Sequence, residues 1–145
     1  MNIDEDDTRL FRPLEPGEFG IYTQSDELPV SDCPVYLMEG VGGICLSGTA
    51  TVQVFSHRFR IVRGMVLALF PWQLISIKEV SDDFGIRFFR ISHDMFTDTL
   101  SSLWRARPGF FFYMRTHIAS EPREEYVGRF LNFCDLLAYR AENAP

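Results

Sequence analysis

From Ile21 to Ile91 the chain is divided into short apolar runs by turn residues, and after Ser92 the apolar spacing lengthens to that of helices. Strands first and helices last is the order that most constrains the fold. The runs that read as strands are Ile21–Gln24, Val35–Met38, Gly43–Leu46, Ala50–Phe55, Phe59–Val62, Val66–Phe70, Leu74–Val80 and Ile86–Ile91. Short strands at this spacing are expected of sandwiches and barrels. Ala50-Thr-Val-Gln-Val-Phe55 and Leu74-Ile-Ser-Ile-Lys-Glu-Val80 alternate in side-chain character as half-buried strands do. Ser56-His57-Arg58 reads as a tight hairpin link, and pairing neighbours through links this short predicts an antiparallel meander.

Helical signals begin at Ser92. Ser92 or Asp94 supplies an N-cap, because a short side-chain oxygen accepts from the first unpaired helical amides. The helix is expected to run through Met95, Phe96, Leu100 and Leu103 to about Trp104, with Pro108-Gly109 ending it. A short helix over Phe110–His117 follows, and the longest runs from Pro122 to about Asn143. Along that last helix Val127, Phe130, Leu131, Cys134, Leu137, Ala138 and Ala141 fall at the i, i+3, i+4, i+7 spacing of one face. Tyr126, Phe133 and Leu136 widen the apolar sector, so the helix must pack on the strands, on a partner chain, or on both. Ahead of the strands, residues 1–20 are polar, acidic and proline-rich, and read as a mobile or loosely docked arm. The expected division is therefore an arm over 1–20, a β unit over 21–92 and a helical segment over 93–145.

Bulk properties exclude several classes. With 145 residues, 46% hydrophobic and 23% charged, the chain has the size and composition of one ordinary globular domain. Aromatics reach 14%, with 14 Phe, which suits a thick β core, an aromatic pocket or a sticky interface alike. The net charge is −6. Nucleic-acid binding draws most of its affinity from cations that neutralise phosphates, whereas the densest arginines (Arg58, Arg60, Arg63 and Arg87, Arg90) lie within strand-like segments. The segment is not expected to bind DNA by itself. Cys33, Cys45 and Cys134 are odd in number and widely spaced, which indicates buried free thiols rather than a disulfide framework or a zinc knuckle. The acidic N-terminus is unlike a signal peptide. No apolar run approaches the roughly 20 residues of a membrane helix, so a cytoplasmic protein without membrane contact is expected.

Several segments carry a family resemblance, spread over roughly residues 35–140. Leu46-Ser-Gly48-Thr-Ala-Thr-Val52 resembles the strand–turn–strand of cupin sensor domains. Phe59-Arg-Ile-Val-Arg-Gly64-Met-Val-Leu-Ala-Leu-Phe-Pro71 looks like their next element, a hairpin strand ending in Gly and a buried strand ending in Pro. Asp82-Asp-Phe-Gly-Ile-Arg-Phe-Phe-Arg-Ile-Ser92, leading into a helix, is similar to the last barrel strand of AraC-type bacterial transcription regulators. Gly64 suits a turn with positive φ, and Pro71 ends a strand where no ladder donor is needed. The resemblance implies a mainly β fold, a cupin-like double-stranded β-helix or jelly-roll barrel, followed by two or three α-helices. It implies a sensor and dimerisation half whose small effector sits in the barrel, in those members that have one. DNA contact would belong to a C-terminal half with two helix-turn-helix units, absent from this sequence. The terminal helix is where the family places its dimer contact, so a homodimer through Val127, Phe130, Leu131, Cys134, Leu137 and Ala138 is expected.

Chemistry-bearing residues are few. Many cupins hold a metal with clustered His and a Glu, but the histidines here are His57, His93 and His117, with no His-x-His. Where metal cupins place a His soon after the proline, this chain reads Trp72-Gln-Leu-Ile-Ser76. Neither a metal site nor a cofactor is expected. Ser47 lacks the Gly-x-Ser-x-Gly elbow, and Gly40, Gly42 and Gly43 lack the Lys-Ser/Thr of a phosphate loop. The glycine cluster reads instead as a bend or bulge entering a strand. For a small effector the candidate contacts are Tyr36, Gln53, Trp72, Ser76, Arg87 and Phe89. Arg87 would either point into the barrel toward an anionic group or face solvent, and Trp72 would either stack on a ligand or fill the core. The function expected is a non-enzymatic ligand-sensing and dimerisation domain of an AraC-type regulator. A degenerate metal-free cupin enzyme using Arg and Tyr, or a stand-alone dimerisation module, are the alternatives.

Overall fold

The computed structural model describes residues 14–98 and 118–143. Each expected strand has a counterpart: β1 Phe19–Tyr22, β2 Val35–Tyr36, β3 Gly40–Ser47, β4 Ala50–Val54, β5 His57–Ile61, β6 Val66–Leu69, β7 Leu74–Lys78 and β8 Gly85–Ile91. A helical stretch at 93–98 (α1) and a long helix α2, Glu124–Asn143, follow. The expected continuation of α1 to Trp104, the short helix over Phe110–His117 and most of the arm lie outside the described residues. No helix among the described residues is long and apolar enough to cross a membrane.

The pairing corrects the meander. Two antiparallel four-stranded sheets form, with orders β1-β8-β3-β6 and β2-β7-β4-β5. Among consecutive strands only β4 and β5 are partners; every other step crosses from one sheet to the other. That alternation is the jelly roll, or double-stranded β-helix, of cupin-like barrels. The meander fails for a physical reason. Apolar alternation says which side of a strand is buried, not which strand lies beside it, and short links serve equally to turn the corner between sheets. Gly48 makes one tight turn with φ 67°, and a Cβ there would lie 2.5 Å from the Phe84 backbone. Gly64 makes another with φ 88°, against the Arg123 backbone.

Between the sheets the core is filled by Leu28, Leu37, Val41, Val52, Ile61, Leu69, Ile75, Ile86 and Phe88 with their neighbours. Cys45 is part of it, and burial pushes its thiol pKa up, as expected of an inert core cysteine. Cys33, by contrast, is exposed, which corrects the expectation of three buried thiols. Its segment joins the 3-10 turn to β2 along the surface, where no sheet covers it. Burial alternates down β8: Ile86, Phe88 and Arg90 are buried, while Arg87, Phe89 and Ile91 are half-buried on the other side.

That other side is the floor for α2, which packs on β3 and β8. The glycines expected at a bend lie instead within regular β3, and the irregularity in the β3–β8 ladder falls between Cys45 and Ser47. Gly42 pairs with Phe89, and a Cβ on it would come within 2.5 Å of the Phe89 ring. The missing side chain lets the ring lie over the strand, where it stacks on Phe130 (centroids 5.8 Å, 19° between planes) and meets Phe133 edge-on. Ile44, Val127 and Cys134 are buried. Val127 and Cys134, expected at a dimer contact, are thus covered within a single chain. Leu137 and Ala138 are half-buried, and Phe133, Leu136 and Tyr139 are exposed.

The segment before α2 is fastened to the sheet edge. Ala68 N–H donates to the Ile118 carbonyl (2.8 Å) and Ser120 N–H to that of Val66 (2.9 Å), with a bridge between Leu67 and Ala119. Arg63 then grips the first turn of α2 through a two-pronged ion pair with Glu124. A carboxylate at that position also suits the positive end of the helix dipole.

Two glycine environments predict opposite outcomes. Gly42→Val forces Phe89 off the strand and is expected to cost about 1–3 kcal/mol, as overpacking does. Gly128 on α2 has nothing within 4 Å of where a Cβ would stand, so Gly128→Ala should add up to about 1 kcal/mol through helix propensity. Urea unfolding midpoints of the two variants check both signs.

Candidate functional site

One end of the sandwich carries a cleft of about 400 Å³, within the usual range for small-molecule sites. Its walls come from the β4–β5 turn (Val54, Phe55, His57), the β6–β7 turn (Phe70, Pro71, Trp72, Gln73), α1 (His93, Phe96, Thr97) and Ile118. The wall is mostly aromatic. Trp72 meets His93 edge-on (centroids 5.6 Å, 78°), and Phe70 packs on Phe96 (5.2 Å, 54°).

Both turns hold a bulky residue in the left-handed region. The β4–β5 hairpin has a two-residue loop, and Phe55 at its first position has φ 54° where glycine is usual. Trp72 has φ 72°. Such conformations cost of order 1–3 kcal/mol each and concentrate at functional sites. Backbone bonds hold them in place: Trp72 N–H donates to the Leu37 carbonyl (2.6 Å), Leu37 N–H to that of Gln73 (2.9 Å), and Phe55 N–H to that of Leu74 (2.9 Å). The result exposes Trp72 by 59% and Phe55 by 52%, although both are apolar.

Two polar side chains of the cleft are already engaged. Gln73 Oε1 accepts from Phe70 N–H (2.9 Å), and Thr97 Oγ1 donates to the His93 carbonyl (2.8 Å). His57 and His93 make no imidazole hydrogen bond among the described residues, so they remain open to a ligand. No group of three potential metal ligands converges among the described residues.

Near the cleft lies a buried ion pair, Glu39–Arg90. Arg90 is 4% exposed, and its guanidinium lies 5.4 Å from the Tyr22 ring centroid. The second Glu39 oxygen accepts from Leu14 N–H (3.3 Å). Two residues along, Ser92 caps α1 as the sequence suggests. Its hydroxyl donates to Asp94 (2.6 Å) and accepts from Met95 N–H (3.4 Å) and Gly17 N–H (3.1 Å). Asp94 accepts from the same Gly17 N–H (3.1 Å). The Ser92 hydroxyl, with the Gly17 amide, holds the Asp94 carboxyl below the usual carboxylate range.

Of the residues expected around an effector, Trp72 lines the cleft. Tyr36, Gln53 and Ser76 lie on the outer face of the β2-β7-β4-β5 sheet, where Gln53 and Ser76 are cross-strand partners. Arg87 and Phe89 lie beneath α2, where Arg87 lowers the pKa of Cys134 against the larger upward push of burial. The inward arginine is Arg90. Phe55, His57, His93 and Phe96 also line the cleft, and sequence reasoning does not select them for it. The histidines are far apart in sequence and carry no motif spacing; the one available signal is a bulky residue in each of two tight turns.

Removing one partner of a buried ion pair costs about 3–5 kcal/mol, because the other charge is left unpaired. Glu39→Ala is therefore expected to destabilise the fold on that scale, and Glu39→Met with Arg90→Met to recover most of the loss. Urea unfolding of the three proteins tests it; a double variant as weak as the single one would contradict the pairing.

No protein-family model matches the sequence, and no curated protein matches it. Solved structures show a distant likeness. ToxT from Vibrio cholerae superposes with TM-score 0.48 at 12% identity, over 81% of this chain and 46% of that one. ToxT from Vibrio cholerae O395, bound to (E)-4-(8-methylnaphthalen-1-yl)but-3-enoic acid, gives TM-score 0.48 at 11% identity, over 83% and 48%. The EutQ protein of Clostridium difficile gives TM-score 0.38 at 14% identity, over 51% of this chain and 69% of that one. The chain spans about half the length of the two ToxT structures. Its cupin-like double-stranded β-helix is established by its own strand order, with the cleft at one end of that barrel.

Proposed function

We propose that the chain is the ligand-sensing and dimerisation domain of an AraC-type transcription regulator, controlling DNA binding by a C-terminal helix-turn-helix domain outside this sequence. The observation that carries the sensing role is the aromatic cleft held open by two left-handed turns and closed on one side by α1. A ligand seated there touches strand turns and a helix at once, so it binds one placement of α1 better than another. Only such a difference in affinity shifts a conformational equilibrium. Arg87 lies beneath α2 and Tyr36 on an outer sheet face, so neither lines the cleft. The effector is a small molecule with an aromatic or apolar body and a group that accepts from an imidazole.

A thermal-shift screen across sugars, amino acids, fatty acids and aromatic acids is the direct experiment. A true effector raises the melting temperature and quenches Trp72 emission. Trp72→Ala and His57→Ala should each weaken it at least tenfold, or about 1.4 kcal/mol. A hit indifferent to both variants would bind elsewhere and sink the assignment of the cleft.

Dimerisation is assigned to the exposed apolar residues of α2. Phe133, Leu136 and Tyr139 are exposed by 47, 60 and 64% and recur every third residue, whereas Val127 and Cys134 are occupied by the chain's own sheet. Leu136→Asp is therefore expected to give a folded monomer from a dimeric parent. Sedimentation equilibrium decides: an unchanged oligomer, or a monomeric parent, removes this role.

A further inference from the structure

The outer face of the β2-β7-β4-β5 sheet changes character row by row along its strands. Tyr36 and Leu74 make an apolar row at one end, with Tyr36 exposed. Ser76, Gln53 and Arg58 form the next cross-strand row, and Lys78, Thr51 and Arg60 the one after. Rows two residues apart are separated by about 7 Å, so the apolar row stands about 14 Å from the last. Arg58 and Arg60 are exposed and Lys78 is half-buried, and none of the three enters an ion pair among the described residues. Arg60 donates to two hydroxyls, Thr51 Oγ1 at 3.3 Å and Thr49 Oγ1 at 2.9 Å, which hold its guanidinium over β4 without neutralising it. In the middle row Ser76 Oγ and Gln53 Oε1 are buried without a hydrogen-bond partner among the described residues, Ser76 being 1% exposed. Buried polar groups are nearly always paired, so this row is incomplete as it stands.

Those two atoms decide between kinds of occupant. Ser76 Oγ has a proton to give, whereas Gln53 Oε1 only accepts. A small oxyanion offers acceptors alone and leaves Gln53 Oε1 unmet. A polypeptide backbone brings both an N–H and a C=O at each residue. A second copy of the chain, turned face to face, would set Arg58, Arg60 and Lys78 against like charges. Nucleic acid extends its phosphates well past the three cations, over a chain of net charge −6 that repels them. A short acidic segment places its few charges only where the cations gather. We propose that this face docks an extended acidic segment of a partner protein. The segment lies along the strands with an apolar residue on Tyr36 and Leu74. Its carboxylates follow two and four residues further on, the first at Arg58 and the second between Arg60 and Lys78. None of these residues lines the cleft, so the docking face and the effector site are separate.

The probe is a fluorescein-labelled peptide, blocked at its amino end, in which one leucine is followed by alternating serine and glutamate. Anisotropy with the full chain is expected to show saturable binding that weakens at least tenfold in R58Q/R60Q. For the unmodified protein it should weaken at least fivefold on raising salt to roughly 0.5 M, where the Debye length is under about 5 Å. Glutamine in place of the glutamates should abolish binding, and serine in place of the leucine should weaken it at least threefold. Lys78 is the only lysine in the sequence. A zero-length carbodiimide, which joins a carboxylate to an amine with loss of water, should therefore couple the probe to Lys78 in preference to the N-terminal amine, as mapped by peptide mass spectrometry. The salt and coupling arms need no variant to fold. No saturable binding at roughly millimolar probe, binding indifferent to both salt and R58Q/R60Q, or coupling at the N-terminal amine instead would overturn the docking. So would displacement of the probe by an equal concentration of inorganic phosphate or of a short DNA duplex, which would make the face a small-anion or a nucleic-acid site. A parent oligomer that R58Q/R60Q takes apart in sedimentation would give the face to a second copy and overturn it too.

Discussion

A guanidinium between two apolar sheets needs a carboxylate, and the Glu39–Arg90 pair is the interaction on which one whole end of the barrel depends. Arg90 comes from β8, the strand shared by β1 and β3, and Glu39 immediately precedes β3. The pair therefore fixes where β3 begins relative to where β8 ends. The Tyr22 ring covers the guanidinium from β1, and Leu14 N–H takes up the remaining carboxylate oxygen. Buried pairs of this sort add little net stability compared with apolar residues of equal size. What this pair does is limit the alternatives: a one-residue slip of β8 would turn Arg90 outward and leave Glu39 buried alone.

Much of the fold is legible in the sequence because strand alternation is a local signal. Each of the eight strands falls within a few residues of its apolar run, and the Ser92 cap and the long terminal helix are equally plain. The pairing is not legible, since local pattern carries no information about which strand lies alongside, and the family resemblance rather than periodicity supplies the jelly roll. Arg87 and Arg90 show the same limit at one residue's scale. Both sit in an apolar run, and only the partner Glu39, distant in sequence, identifies the inward one. Gly42 reads as a bend because a glycine in a strand weakens it on propensity alone. Its purpose is visible only once Phe89 of the neighbouring strand lies across it.

The candidate site is less legible still. Trp72 stands out for its size and its position after Pro71, but the other effector candidates fall on two outer surfaces. The interior of the jelly roll is packed with Leu, Ile, Val and Phe. The cavity moves to the end of the barrel, where turns replace paired strands. Turn residues give weak sequence signals because many side chains are tolerated there. Phe55 and Trp72 are exceptions, since each occupies a conformation that glycine would adopt without strain.

The geometry at that end also decides what can be communicated. Ser92 is at once the cap of α1 and the acceptor for Gly17 N–H, while His93, Phe96 and Thr97 on the same helix form one wall of the cleft. Glu18 accepts from Ser92 N–H through its carbonyl (3.0 Å), so residues 17 and 18 are bound to the helix start by both backbone and side chain. A tilt of α1 that lengthened these short hydrogen bonds by about half an ångström would weaken them appreciably. A molecule that enlarges the cleft and one that leaves it unchanged therefore differ in their effect on the segment entering β1. Under the proposed sensing role, a shift of α1 alone, with the packed core unmoved, is enough to reach the segment entering β1.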